Sequence, residues 1–241
     1  MTTTPKLLRD HRDGVLTLTL HRPEKLNAID LALSHALLEA LEAAAQDPSV
    51  RVVVLKGSGR AFCAGRDVSA PPSEDDLVSV QAVSQALVQL PQPVMAVVHG
   101  WTVGAGLEWM LNADVVLAAS SARFKLPEAS LGVFVTGGLS ATLTAYGGLA
   151  RAKALMLFGE AFSPEQAQAW GLIWRVVSPA ELDAESDRMA SQLAALEPEV
   201  ARRYKRVLNE IGLDSFNRAI ELENEAQRAL QASSADSRLM P

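Results

Sequence analysis

Glu108 and Glu128 stand twenty residues apart, each closing a segment that could present a carboxylate to a ligand. Glu108 ends HGWTVGAGLE, residues 99–108, a glycine-rich turn that opens a helix. Glu128 ends RFKLPE, residues 123–128, where a short apolar strand breaks at Pro127. Glycines let the backbone approach a ligand closely, and a helix start offers N–H groups with no carbonyl of their own helix to bond. Two carboxylates beside such a turn form an acid/base pair for a substrate that develops an oxyanion. Each glutamate alone has a plainer reading, one as a solvated residue favoured by a helix dipole and the other as a loop residue after proline. A third segment tips the balance. GRAFCAGRDV, residues 59–68, follows the buried-strand run RVVVLKG, residues 51–57, and supplies a second glycine turn with exposed N–H groups.

The elements that must position these turns follow from periodicity. VLTLTLH, residues 15–21, alternates as a strand, and an apolar helix runs from Asp30 as N-cap through Ala45. A strand at 51–56, a polar loop SAPPSEDD at 69–76 and a helix over 77–90 come next. PVMAVVHG, the short helix after Gly104, DVVLAAS at 114–120 and RFKLPE continue the alternation. Strand–strand–helix units with short connections predict an α/β core with helices packed outside. From Ala180 the pattern turns helical, over 180–196, 199–211 and 215–231, with apolar residues at three-to-four spacing.

Five segments in order resemble the enoyl-CoA hydratase/isomerase family, the crotonase superfamily, from about residue 6 to residue 230. They are HRPEKLNAI (21–29), GRAFCAGRDV, VMAVVHGWTVGAGLE (94–108), LPEASLGVFVTGG (126–138) and FSPEQAQAWGLIWRVV (162–177). The resemblance implies a spiral of ββα units over 1–179 carrying a CoA site, followed by a C-terminal helical region, 180–241, that completes trimers often stacked into hexamers. It implies catalytic roles for Glu108 and Glu128, and an oxyanion hole built from the backbone N–H groups of Arg66 and Ala105. Substrate and CoA contacts are implied for Lys25, Leu26, Ala28, Ala64, Gly65, Asp67, Val68, Gly104 and Thr136. Asp67 is also expected to cap a following helix. No cofactor or metal is expected beyond the CoA of the substrate.

The resemblance points first to an enoyl-CoA hydratase, because both glutamate positions are filled. An enoyl-CoA isomerase, which usually needs one carboxylate at the Glu128 position, and a non-catalytic or RNA-binding member are the alternatives. Val135 and Thr136 occupy places where hydratase relatives carry proline and glycine, so crowding of the acyl group or the water is expected there. Trp101 and Trp109 flank the second turn and are read as packing residues. His99 is read as a hydrogen-bonded structural histidine. The ending QASSADSRLMP, residues 231–241, lacks the acidic-glycine, aromatic and lysine-arginine ending common in relatives.

Bulk properties agree with this reading. The 241 residues are 49% hydrophobic and 21% charged, enough for one substantial core. A net charge of −6 disfavours nucleic acid, which wants a basic stripe. CoA is anionic too, so Arg22, Lys25 and Arg66 are candidates for its phosphates. One cysteine, Cys63, excludes an internal disulfide and fits a reducing compartment. With no signal-like N-terminus, the expected location is the cytoplasm.

Overall fold

A computed structural model describes residues 5–69 and 73–236. Among the described residues six strands form one sheet in the order β1-β2-β3-β4-β6-β8. They are β1 (Leu7–Arg12), β2 (Val15–Leu20), β3 (Val52–Gly57), β4 (Val94–Val98), β6 (Val115–Ala119) and β8 (Arg175–Val177). Only β1 runs antiparallel to its neighbour, in a hairpin turned at Asp13 and Gly14. The remaining pairs are parallel, and their middle strands VVVL and VMAVV are buried along their length. Unbroken apolar runs of this kind belong to parallel strands covered on both faces.

Alternation assigns those faces. Val53, Leu55, Ala96 and Val98 point into the main core, where Leu33, Leu37 and Leu41 of α1 (Leu31–Gln46) and Leu87 of α2 (Glu74–Gln89) meet them. Val54, Met95, Val97 and Leu117 point the other way, onto Leu182, Met189 and Ala190 of α7 (Leu182–Ala194). The first C-terminal helix thus closes the second face of the sheet. In α8 (Pro198–Gly212) the buried Lys205 reaches Asp114 at 2.8 Å and the carbonyls of Leu87 and Gln92. Phe216 and Ile220 of α9 (Phe216–Asp236) pack with Ala141 of α4 (Leu139–Gly147).

Most expected elements are present, with two shifts. Asp30 caps α1 by accepting from Leu33 N–H at 2.9 Å. The helix expected from residue 77 starts at Glu74, because Ser73 and Asp76 form a capping box within the SEDD stretch read as loop. Asp67 caps no helix, since the next one is capped by Ser73. Its carboxylate accepts instead from Ser69 N–H at 3.0 Å and pairs with Arg22 at 2.9 Å. Residues 70–72 of the expected loop, and 237–241 of the divergent ending, lie outside the described residues.

A second, two-stranded sheet sets up the site. β5 (Trp101–Val103) and β7 (Arg123–Lys125) pair in parallel, with Val103 opposite Lys125. Both chains leave this small sheet at the same end. Gly104 N–H donates to Lys125 O at 3.1 Å, β5 continues into α3 (Ala105–Leu111), and β7 continues through Pro127 into a 3-10 turn at Glu128–Leu131. This register is what brings two glutamates twenty residues apart into one place.

Candidate active site

Gly104 and Gly137 mark how tightly the two carboxylates are held. Gly104 has φ +53°, and a β-carbon there would lie 2.5 Å from Glu128 Oε1. A β-carbon at Gly137 would fall on Glu108 Oε2 and within 2.6 Å of Ser84 Oγ. A side chain at either position would displace the carboxylate beside it, and at Gly104 the positive φ calls for glycine as well.

Glu108 sits one turn into α3, a helix buried from Gly106 through Leu111. Its side chain is 1% exposed, and Oε1 accepts from Thr136 N–H at 3.1 Å. Burial drives its pKa well above the ordinary carboxylate range, helped by the negative charge of Glu223 and then of Glu128. The amides of Thr136 and Gly137 oppose that rise without cancelling it. Glu128 is half-buried as a residue, but burial of its carboxyl pushes it up to about 7. Oε2 of Glu108 and Oε2 of Glu128 are both shielded from solvent and have no hydrogen-bond partner among the described residues. Buried carboxylate oxygens are normally satisfied, so two such atoms in one site call for a ligand, a water or a role in chemistry.

The second glycine turn lies against the same helix start. Cys63 bridges Thr102, with Val103 N–H donating to Cys63 O at 2.9 Å and Cys63 N–H to Trp101 O at 3.3 Å. A β-carbon on Gly106 would stand 2.6 Å from Cys63 O, and one on Gly65 would stand 3.6 Å from Ala105 N. The Gly65–Arg66 peptide and the first amide of α3 are therefore neighbours. Ile29 bridges Arg66 through Gly65 O and Asp67 N–H.

Of the residues expected to contact CoA, Leu26 and Ala28 lie along this edge, with Leu26 O accepting from Ala64 N–H at 3.0 Å. Lys25 and Val68 are exposed. Ala64 and Thr136 are half-buried, and Gly65 is buried. Arg22, a candidate for the CoA phosphates, is committed elsewhere. Its guanidinium is 11% exposed and bonds Asp67, Asp30 and the carbonyl of Ala28. Ser69 and Arg22 together hold the Asp67 carboxyl below its ordinary range.

Two site residues went unread in the sequence. Asn27, fully buried at φ +56°, donates from Nδ2 to the carbonyls of Ser58, Ala61 and Phe62 and so fixes the turn carrying Gly65. Its signal was an asparagine in a turn, which tolerates left-handed backbone. Glu223, on α9, is 1% exposed and bonds the amides of Gly138 and Ser140 at 2.8 Å each. The packing readings hold in part. Trp109 is fully buried, Trp101 is half out in solvent, and His99 Nε2 bonds the carbonyl of Gly59 at 2.9 Å. Burial pushes the Cys63 thiol up to about 12, which removes it as a nucleophile.

The chain is similar to proteins that share this arrangement of elements. The family model for enoyl-CoA hydratase/isomerase matches residues 10–239. This chain belongs to the enoyl-CoA hydratase/isomerase family. It is 36% identical to a 1,2-epoxyphenylacetyl-CoA isomerase of Escherichia coli (strain K12), over 93% of this chain and 89% of that protein. It is 35% identical to a 2,3-dehydroadipyl-CoA hydratase of the same strain, over 85% and 82%. The crystal structure of an enoyl-CoA hydratase from Mycobacterium avium subsp. paratuberculosis K-10 superposes with a TM-score of 0.91 at 32% identity, covering 96% of this chain and 95% of that one. The crotonase fold expected from the five segments is the fold of the molecule.

The raised pKa of Glu128 makes folding stability depend on pH. Glu128 binds its proton more tightly folded, at about 7, than in an unfolded chain near 4.5. The stabilisation is therefore complete below about pH 4.5 and is lost as pH rises through about 7, by about 3 kcal/mol. Glu128→Gln cannot ionise. The wild-type stability measured by denaturant unfolding, minus that of Glu128→Gln, falls by about this amount between about pH 4.5 and pH 8. A difference that stays flat over that range contradicts burial of this carboxyl.

Proposed function

We propose that this protein hydrates a 2-enoyl-CoA thioester. The observation that carries the reading is the pair of buried, unpartnered oxygens on Glu108 and Glu128, in a site that raises the pKa of both. Two carboxyls that each hinder ionisation of the other leave a singly protonated pair near neutral pH, one acid and one base. Water addition needs that state. The ionised carboxylate takes a proton from water as its oxygen bonds C3. The electron pair of the C2–C3 double bond moves onto the thioester oxygen, where the amides of Arg66 and Ala105 receive the enolate. The enolate then collapses as C2 takes the proton of the other carboxyl. The pair ends singly protonated with the roles exchanged, and one proton passing between the two resets it.

Family membership supports the thioester substrate, and the exposed Lys25 at the site's edge is a candidate for the CoA phosphates. An assembly of three or six copies belongs to the same reading. Exposed Leu157, Phe158, Trp174, Tyr204, Leu208 and Ile211 give it apolar surface to bury. A cytoplasmic location is the last part of it, supported by the lone, buried cysteine. No described helix is long and apolar enough to cross a membrane.

Isomerisation of a 3-enoyl-CoA is the second reading. Thr136 in the glycine's place favours it, and the family to which the chain belongs includes isomerases. Offering 2-enoyl-CoA and 3-enoyl-CoA separately decides between them through the absorbance of the conjugated thioester. Hydration removes absorbance from the first, whereas isomerisation alone adds absorbance with the second and leaves the first unchanged.

A further inference from the structure

The turn that grips Glu108 is itself gripped from behind. Residues 134–140 carry the amides of Thr136 and Gly137 that act on Glu108. On their other side α9 supplies two acceptors one helical turn apart. Gln227 Oε1 takes Phe134 N–H at 2.7 Å, and Glu223 takes Gly138 N–H and Ser140 N–H at 2.8 Å with one oxygen each. Asn112, at the end of α3, donates to Gly137 O at 2.9 Å. Phe216 of α9 fills the space a β-carbon on Gly138 would need.

We propose that Glu223 is a positioning residue for the acid/base pair: its carboxylate holds the 136–138 turn so that two amides of that turn fix Glu108. A carboxylate offers one oxygen to each of the two amides, which the single oxygen of a glutamine would not, but burying it desolvates a charge. What the charge adds is its effect on Glu108. Among the described residues, the charged groups acting on Glu108 are Glu223 from α9 and Glu128 from the turn after β7. Ser84 of α2 contributes a neutral hydroxyl, and the turn before α4 contributes the amides of Thr136 and Gly137. The two cations of α9 are paired away from this site, Arg218 with Glu221 at 2.8 Å and Arg228 with Glu74 at 2.6 Å.

This inference rests on the acid/base reading of Glu108, and the test separates the two. Glu223→Gln keeps the reach but removes the charge and turns one of the two acceptor oxygens into an NH2 facing an amide N–H, whereas Glu223→Asp keeps the charge and both oxygens and shortens the reach. Glu223→Gln is expected to lower kcat about tenfold or more, with KM within about twofold, and to move the pH limb belonging to Glu108 down. Glu223→Asp lowers kcat with the limb left in place. A folded Glu223→Gln whose pH profile superimposes on the wild type overturns the proposal. If that variant does not fold, the unaltered protein decides the matter through backbone amide NMR, with no substrate and no assumed reaction. The Thr136 and Gly137 amide shifts should then show two steps with pH, one coinciding with the step seen at Gly138 and Ser140. A single step, absent from Gly138 and Ser140, overturns it.

Discussion

Glu108→Gln and Glu128→Gln each lower turnover of a 2-enoyl-CoA by about 10²–10⁴-fold, the usual contribution of a positioned acid or base. Both substitutions keep the side chain's size in a site where Gly104 and Gly137 leave no spare room, so acyl-CoA binding is retained. The two variants are also expected to resemble each other and the double variant. Removing either member destroys the singly protonated state, and effects of groups that act as a unit do not add. Single-turnover rates with equilibrium binding of the product measure both quantities. A Glu108→Gln enzyme that hydrates at near wild-type rates contradicts the paired acid/base role of Glu108 and leaves Glu128 acting alone.

Arg66→Pro removes about 10²–10³-fold in kcat, whereas Arg66→Ala leaves the chemical step intact and shows its loss in CoA affinity. Proline deletes the N–H that alanine keeps, and one oxyanion donor is worth about 3 kcal/mol in the transition state. The neighbourhood supports a backbone role. Gly65 lies against the Ala105 amide, so the Gly65–Arg66 peptide and the first amide of α3 are neighbours. Circular dichroism establishes that the proline variant is folded before its rate is read. Equal losses in kcat for the two variants would give the guanidinium a role in the chemistry.

Much of this site was legible because it is built from local signals. A glycine run before a helix, a proline after a strand and an apolar run before GRAFCAGRDV each fix a turn whose residues are named by the sequence itself. Glu108 and Glu128 then meet through the pairing of Val103 with Lys125, which strand periodicity and order make natural. What escaped was long-range. Glu223 looks like any polar residue of an amphipathic helix, and only the packing of α9 on α4 turns it inward. Arg22 reads as a basic residue near an anion site until folding sets Asp67, forty-five residues on, beside it. Two helices, α4 and α5 (Leu149–Phe158), were not read at all. They start at Gly138 and Gly148 with no side-chain cap, so the usual start signal is missing. The capping box of α2 was present in the sequence as Ser73 and Asp76, but an acidic stretch after two prolines looked like loop.

The central claim is that water is a reactant, and labelled water tests it most directly. The enzyme is given a 2-enoyl-CoA in ¹⁸O-enriched water, and the acyl-CoA product is weighed by mass spectrometry after a limited number of turnovers. The expected product is a 3-hydroxyacyl-CoA carrying one labelled oxygen, formed at a rate that collapses in both Glu108→Gln and Glu128→Gln. A product with the mass of the starting thioester and no labelled oxygen, from an enzyme that moves double bonds at full rate, contradicts it.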